Sequence, residues 1–190
     1  MTYMSLTIRK LTNKDKLIKA VRKLYIQSFP ANERIPFPIV LRMAAEDRLE
    51  LLAFFDGEVF AGFVCMYHSE RMCFLYYLAV PGELRDQGYG SRILQGVQEY
   101  YQSLPIVAEI DTPDESAEDI LTRKKRQSFY QRNGFRMTSV RYLFYGADYT
   151  LMVHGREISR SEFADEAEMI YPHALRIRYI DPLPVPVPEE

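Results

Sequence analysis

The sequence predicts a mixed α/β fold, with a central, mostly antiparallel sheet and helices on both of its faces. Three apolar runs, at 49–55, 59–67 and 72–80, follow one another with turn residues between them, which indicates an antiparallel meander. These runs are almost continuously apolar, a pattern typical of strands that are covered on both faces. In the second half of the chain strands alternate with helices, so at least one crossover and therefore a mixed sheet is required.

Three elements precede the meander. Alternating apolar residues predict a strand over 5–11. Apolar residues then recur at helical spacing from Leu17, and this helix should end near Phe29, because Pro30 disfavours helical geometry in the residue before it. A short second helix is predicted over 39–47.

Helices and strands alternate after the meander, as the spacing of apolar residues indicates. In order, the predicted elements are a helix over 88–103, a buried strand over 105–111, a polar loop over 112–119, a basic helix over 120–132, a hairpin over 135–153 broken at 146–148, and a helix over 161–171. Proline at every second position from 182 predicts an extended, polyproline-like tail over 182–190.

The composition and net charge of the chain exclude several classes of function. The 190 residues suit one domain, and a net charge of −2 provides no field that would call for nucleic acid or an anionic membrane. No apolar stretch approaches the ~20 residues of a membrane span, and the first residues lack the basic and apolar regions of a signal peptide. We therefore expect a cytoplasmic protein without nucleic-acid or membrane partners.

The cysteines and histidines do not have metal-ligand spacing. Cys65 and Cys73 lie inside apolar runs, while His68, His154 and His173 are scattered along the chain. No metal site is therefore expected. A disulfide across a hairpin is one option for the two cysteines, but two buried free thiols are the favoured interpretation.

The segment from 78 to 91 indicates an anion site. A buried strand runs into a Pro/Gly loop, and that loop opens a helix whose N–H groups and dipole attract a phosphate. Gly88 and Gly90 allow a close approach of the backbone, and Arg85 adds a positive charge. The Lys-Ser/Thr of a Walker A loop is missing, and Ile93 occupies the position of the third dinucleotide-fingerprint glycine. A glycine-rich turn that merely starts a helix is the alternative.

Two motifs resemble those of the GCN5-related N-acetyltransferases, the GNAT superfamily. Arg85-x-x-Gly88-x-Gly90 matches the motif Q/R-x-x-G-x-G/A, and the preceding strand end at 78–81 agrees with it. The stretch 129–135, which reads FYQRNGF, is similar to the family's second motif, and the strand order agrees. The resemblance covers roughly 5–153, so we expect a GNAT domain at 1–155 and a C-terminal extension at 156–190.

The resemblance implies that acetyl-CoA binds and that CoA is the product. The cofactor would lie in a V-shaped opening where a parallel strand pair, 72–80 and 105–111, splays apart. The backbone of Leu78, Ala79 and Val80 would pair with the pantetheine arm. The residues implied for the pyrophosphate are Arg85, Asp86, Gln87, Gly88, Tyr89, Gly90 and Ser91.

The family's reaction is a direct attack of an amine on the thioester, and it needs a base, an oxyanion donor and an acid. The resemblance places Tyr130 as the acid that protonates the leaving thiolate, and the N–H of Val80 as the oxyanion donor. Ordinary aromatic packing is the alternative for Tyr130. The start of the fourth strand, 72–76, has no carboxylate where some members carry a Glu.

Glu109 is the leading candidate for the base, because a carboxylate inside an apolar strand is costly without a purpose or a partner. It could instead face outward or pair with an arginine. Asp111, His68 and a chain of water molecules are the other candidates. The basic stretch 123–126 could meet the 3′-phosphate of CoA or an acidic substrate, or it could be a solvated helix face.

The acceptor is expected to be a primary amine of a small molecule or a peptide. The first two helices usually form the acceptor wall in this family, which implicates Phe29, Glu33, Arg34 and Phe37. Other functions remain open. They are a catalytically silent acyl-CoA-binding module, an interaction protein whose extension docks a partner or a second copy as a homodimer, and a nucleotide-binding protein.

Overall fold

A computed structural model describes residues 5–113, 117–171 and 176–182. The strands in this part of the chain are β1 (Thr7–Lys10), β2 (Glu50–Asp56), β3 (Val59–His68), β4 (Cys73–Ala79), β5 (Ile106–Asp111), β6 (Arg136–Phe144), β7 (Ala147–His154) and β8 (Arg178–Ile180). The helices are α1 (Ile18–Ser28), α2 (Phe37–Ala45), α3 (Tyr89–Tyr100), α4 (Ile120–Arg132) and α5 (Arg160–Ile170). The strands form a mixed sheet in the order β1-β2-β3-β4-β5-β7-β6-β8, which confirms the predicted fold class. The chain forms two compact units, Met1–Val107 and Ala108–Glu190.

The first unit contains the predicted meander. β2, β3 and β4 pair antiparallel in sequence, with Ala53 opposite Phe63 and Phe63 opposite Ala79. β1 adds to the outer side of β2, also antiparallel. Most residues of β2, β3 and β4 are buried, including neighbours that point to opposite faces, as the apolarity of these strands predicted.

Helices pack on both faces of this meander. On one face, Val21 and Tyr25 of α1 and Val40 of α2 join a buried cluster with strand residues such as Ala53 and Cys65. On the other face α3 lies so close that a Cβ on Gly96 would stand 2.9 Å from the ring of Phe54. Alternation along β2 separates the two sets of contacts, because neighbouring residues of a strand point to opposite faces.

The second unit contains the β6/β7 hairpin and the start of the C-terminal extension. Tyr145 and Gly146 connect the two strands, and both have a positive φ, 50° and 85°. Such a pair fits a two-residue hairpin turn, so β7 begins at Ala147, within the break predicted at 146–148. β8 pairs antiparallel with β6 and was not predicted, because three residues are too few to show a periodicity.

A capping box starts α5. The Ser159 side chain accepts from the backbone N–H of Glu162, whose carboxylate accepts from the N–H of Ser159. Phe163 of this helix stacks on Tyr142 of β6, with ring centroids 5.5 Å apart. The predicted tail lies outside the described residues from 183 onward, as does part of the predicted loop at 112–119.

Cys65 and Cys73 are buried free thiols, as the favoured interpretation expected. Cys65 stands opposite Tyr77 and Cys73 opposite His68, so the two cysteines do not face each other across the hairpin. Desolvation raises the pKa of Cys73 to about 12, which keeps it in the thiol form. Within the described ranges, no helix has the length and apolarity needed to cross a membrane. No cluster of three metal-ligating side chains occurs among these residues.

Candidate active site

The predicted cofactor residues of the first unit lie on one strand–loop–helix segment. Leu78 and Ala79 end β4, Val80 follows it, Arg85, Asp86, Gln87 and Gly88 form the loop, and Tyr89, Gly90 and Ser91 form the first turn of α3. Gly88 is the N-cap residue in a left-handed conformation, with φ +83°, and a Cβ there would have no atom within 4 Å. No described side chain caps α3, so its first N–H groups remain available to an anion.

Two arginines lie near the start of α3. Arg92 is paired with a carboxylate, and Arg85 is exposed. Arg92 Nη1 lies 2.6 Å from Oδ2 of Asp56, which also accepts the Tyr89 hydroxyl at 2.9 Å. The Arg92 and Tyr89 hydrogen bonds lower the pKa of Asp56. Arg85 is held more loosely. Its Nε donates to the carbonyl of Val80 at 3.2 Å, and its Nη2 to Ser28 Oγ at 3.4 Å. Arg85 and the helix dipole therefore supply the positive field.

The four predicted acceptor residues separate into core and surface pairs. The ring of Phe29 lies 4.8 Å from that of Tyr77, and the ring of Phe37, which is 6% exposed, lies 5.5 Å from that of Tyr25. Glu33 is exposed at the end of a short 3₁₀ turn. Arg34 is half-buried, and its Nη1 lies 3.4 Å from the carbonyl of Ile26.

Two tyrosines hold the backbone of the predicted acceptor residues around Arg34, and the sequence reasoning missed both of them. The hydroxyl of Tyr77 donates to the carbonyl of Glu33 and accepts from the N–H of Ile35, each at 3.0 Å. The hydroxyl of Tyr25 donates to the carbonyl of Ile35 at 2.9 Å. The backbone on both sides of Arg34 is therefore attached to the aromatic core of the first unit.

In the second unit, Glu109 lies at the centre of a small polar cluster. The hydroxyls of Tyr142 on β6 and Tyr171 after α5 both donate to its Oε2 atom, and the two hydroxyl oxygens are 2.9 Å apart. Desolvation raises the pKa of Glu109 to about 6, although the two tyrosine hydrogen bonds act in the lowering direction. A carboxyl with this pKa can both accept and return a proton near neutral pH.

Tyr130 lies near the C-terminal end of α4, in an aromatic environment. Its ring centroid is 5.3 Å from that of Phe129 and 5.2 Å from that of Phe135. Desolvation raises the pKa of its hydroxyl to about 12, with a smaller lowering effect from Arg126 and a raising effect from Glu109. The hydroxyl is therefore protonated at neutral pH, as a proton donor must be.

The other base candidates have charged partners. Asp111 pairs with Arg126 at 2.8 Å, and His68 Nε2 lies 3.9 Å from the carboxylate of Glu50. In the basic stretch, Arg123 pairs with Asp119 at 2.7 Å. Two members of that stretch thus hold acidic neighbours of the same unit.

Comparisons with known proteins agree with the motifs. Residues 45–137 match the family model described as an acetyltransferase (GNAT) domain. No curated protein matches the chain. Among solved structures, a candidate acetyltransferase of the GNAT family from Bacteroides thetaiotaomicron has 26% identity and a TM-score of 0.70, over 86% of this chain and 94% of that one.

Two other solved structures, each under 25% identical, share the fold. A GNAT family acetyltransferase from Elizabethkingia anophelis, with acetyl-CoA bound, has 16% identity and a TM-score of 0.58, over 81% of this chain and 100% of its own. The aminoglycoside 6′-N-acetyltransferase of Enterococcus faecium has 15% identity and a TM-score of 0.57, over 80% and 99%. Residues 45–137 thus match the GNAT acetyltransferase domain that the two motifs of the chain indicated.

Proposed function

We propose that this protein transfers the acetyl group of acetyl-CoA to a primary amine of a small molecule or a peptide. The observation that carries the proposal is the start of α3, which combines an N-terminus that none of the described side chains caps, open space at Gly88 and the exposed Arg85. These features suit a pyrophosphate, and the bound Elizabethkingia relative shows that this fold accepts acetyl-CoA. In this proposal 1–155 are the acetyltransferase domain, 156–190 an extension, and the protein acts in the cytoplasm.

The cofactor-binding role belongs to the strand–loop–helix segment. Residues from Arg85 to Ser91 would hold the pyrophosphate through backbone N–H groups and the Arg85 guanidinium. The backbone of Leu78, Ala79 and Val80 would pair with the amides of the pantetheine arm, as a strand pairs with a sheet edge. When bound, acetyl-CoA supplies the thioester carbonyl that the amine attacks.

Three groups of the chain are proposed to serve the reaction. Glu109 removes a proton from the ammonium of the acceptor, because an amine attacks only in its neutral form and a free amine is scarce at neutral pH. The N–H of Val80 stabilises the oxyanion, and the hydroxyl of Tyr130 protonates the departing thiolate. The raised pKa values of Glu109 and Tyr130 suit an acceptor and a donor of protons, respectively. A buried carboxyl whose pKa is raised to about 6 favours catalysis over a silent acyl-CoA-binding module.

In the proposed acceptor wall, Glu33 and Arg34 contact the acceptor. Phe29 and Phe37 support them from the core. Glu33 can attract the positive charge of an amine, and Arg34 can meet an acidic group on the same molecule. Phe29 and Phe37 form the aromatic floor on which this segment rests.

The first experiment is thermal unfolding with acetyl-CoA, CoA, ATP and NAD. A ligand at about 100 times its Kd stabilises the folded state by about 2.7 kcal/mol, so binding is readable as a rise in Tm. We expect a rise with acetyl-CoA and CoA alone. A panel of amines followed by thiol release then tests turnover. A rise with ATP or NAD instead of CoA would contradict the proposal.

A further inference from the structure

The extension contributes a side chain to the Glu109 cluster. Tyr171 is the C-cap residue of α5, beyond residues 45–137 of the matched domain. Its hydroxyl nevertheless donates to the same Oε2 atom as that of Tyr142. Of the two tyrosines, Tyr142 is fully buried, and the ring of Phe163 stacks on it. Neither tyrosine has a role in the reaction as proposed so far.

The geometry favours the charged form of the carboxyl. A tyrosine hydroxyl has one proton, so when both tyrosines donate to Oε2, neither proton is left for the 2.9 Å contact between the two hydroxyls. An ionised carboxylate only accepts, so it satisfies both hydroxyls at once. Among the described residues no group donates to the other oxygen, Oε1. That oxygen can therefore receive a proton while Oε2 stays bound.

The other charged groups near Glu109 offset one another. Asp111 on β5 raises its pKa and Arg126 on α4 lowers it, and these two side chains are paired at 2.8 Å. Tyr130 on α4 is protonated at neutral pH, and the ring of Tyr149 on β7 is tilted against that of Tyr142, with centroids 5.9 Å apart. The two hydroxyls are thus the main groups that stabilise the charge of Glu109.

We propose that Tyr142 and Tyr171 are positioning residues that hold Glu109 by Oε2 and leave Oε1 to accept the proton of the acceptor ammonium. This inference rests on the proposed function, in which Glu109 is the base. It assigns part of the extension, through Tyr171, to the reaction centre of the second unit.

The test compares Tyr142→Phe, Tyr171→Phe and the double variant with the wild-type protein. Tyr145→Phe is the matched control, because Tyr145 is 61% exposed at the β6/β7 turn and makes no contact with Glu109. Two readouts are needed. One is the pH profile of kcat/KM with the best amine of the panel. The other is NMR titration of the Glu109 carboxyl carbon, assigned with Glu109→Gln.

Loss of each hydroxyl should raise the pKa of Glu109 by about one unit, since a donor to the charged form is removed. The acidic limb of the pH profile should move upward with it, which lowers kcat/KM about tenfold at pH 5.5. The KM for acetyl-CoA and the Tyr145→Phe control should not change. A fall in Tm without a shift of the titration would make the tyrosines merely structural and overturn the inference.

The two levels of proposal fail in different ways. A wild-type protein that shows no acetyl-CoA stabilisation and no turnover contradicts the proposed function. A wild-type protein that turns over while Tyr171→Phe and Tyr142→Phe keep its pH profile contradicts only the positioning role. The carboxyl titration needs no acceptor, so it tests the electrostatic part in either case.

Discussion

The backbone N–H of Ile35 donates to the hydroxyl of Tyr77 at 3.0 Å, although 42 residues separate them in the chain. The same hydroxyl donates to the carbonyl of Glu33. One side chain of β4 therefore satisfies two backbone groups on either side of Arg34. This contact connects the meander to the segment proposed to meet the acceptor.

Tyr77→Phe should loosen that segment. An unsatisfied buried backbone group costs about 1–3 kcal/mol, so the free energy of unfolding should fall by a similar amount. The KM for the amine should rise, while the KM for acetyl-CoA should stay close to the wild-type value. Steady-state kinetics and thermal unfolding check both effects. Tyr100→Phe, at an exposed position of α3, is the control. An equal rise in both KM values would contradict a role confined to the acceptor side.

Gly88→Ala tests the phosphate loop. Its φ of +83° is unfavourable for a residue with a Cβ, by about 1–2 kcal/mol, although the space around the position is open. We expect relaxation of the loop and a smaller rise in Tm with acetyl-CoA than in the wild-type protein. Gly57→Ala is a close control, because Gly57 has φ +58° and equally open surroundings in the β2/β3 turn. If both variants keep the full cofactor-induced rise, the loop does not bind the pyrophosphate.

Tyr130→Phe removes the proposed acid with little change in volume. General acid catalysis contributes about 10²–10⁴-fold, so kcat should fall by a factor in that range. Cofactor stabilisation in thermal unfolding should be retained, since the hydroxyl is not part of the loop. The loss should be smaller for thioesters with a more acidic leaving thiol, which needs less help to depart. A variant with unchanged kcat would leave Tyr130 with a packing role against Phe129 and Phe135.

Glu109→Gln should change the pH dependence of stability. The pKa of Glu109 is raised to about 6 in the folded protein from 4.5, so its protonated form is favoured by folding. Its contribution to stability is therefore full below pH 4.5 and is lost as the pH rises through 6. Because glutamine does not titrate, the variant should gain stability relative to wild type across this window, by at most about 2 kcal/mol.

Thermal unfolding between pH 4 and 8 measures that gain. Glu70→Gln, at an exposed position of the β3/β4 turn, controls for the loss of a negative charge. A difference in Tm between Glu109→Gln and wild type that stays constant with pH would contradict the raised pKa.

Sequence reasoning found the features that depend on neighbouring residues. Apolar spacing located the helices and strands, and the motif at Arg85 and Gly88 located the loop. Glu109 stood out because a charged residue is rare inside an apolar strand. Contacts between distant residues were not predictable in this way. Tyr171 carries no local signal that connects it to Glu109, 62 residues away.

Asp56 shows the same limit in the first unit. In the sequence Asp56 is the first residue of an Asp-Gly turn, and the turn alone is a sufficient reason for an aspartate at this position. In the structure its carboxylate also accepts hydrogen bonds from the side chains of Tyr89 and Arg92 at the start of α3. Local chemistry predicted the hairpin, whereas only the packing of α3 on the meander shows the second role.

The capping box of α5 gives this helix a defined origin at Ser159, and Tyr171 lies at its opposite end. When the first residue of a helix is fixed, the position of its last residue depends on the helix length, because each residue adds about 1.5 Å and about 100° of rotation. The position of the Tyr171 hydroxyl therefore depends on the number of residues in α5 more than on the identity of its exposed residues. Substitutions of the exposed residues should leave the Tyr171 hydroxyl in place, whereas the deletion or insertion of a single residue should turn it away from Glu109.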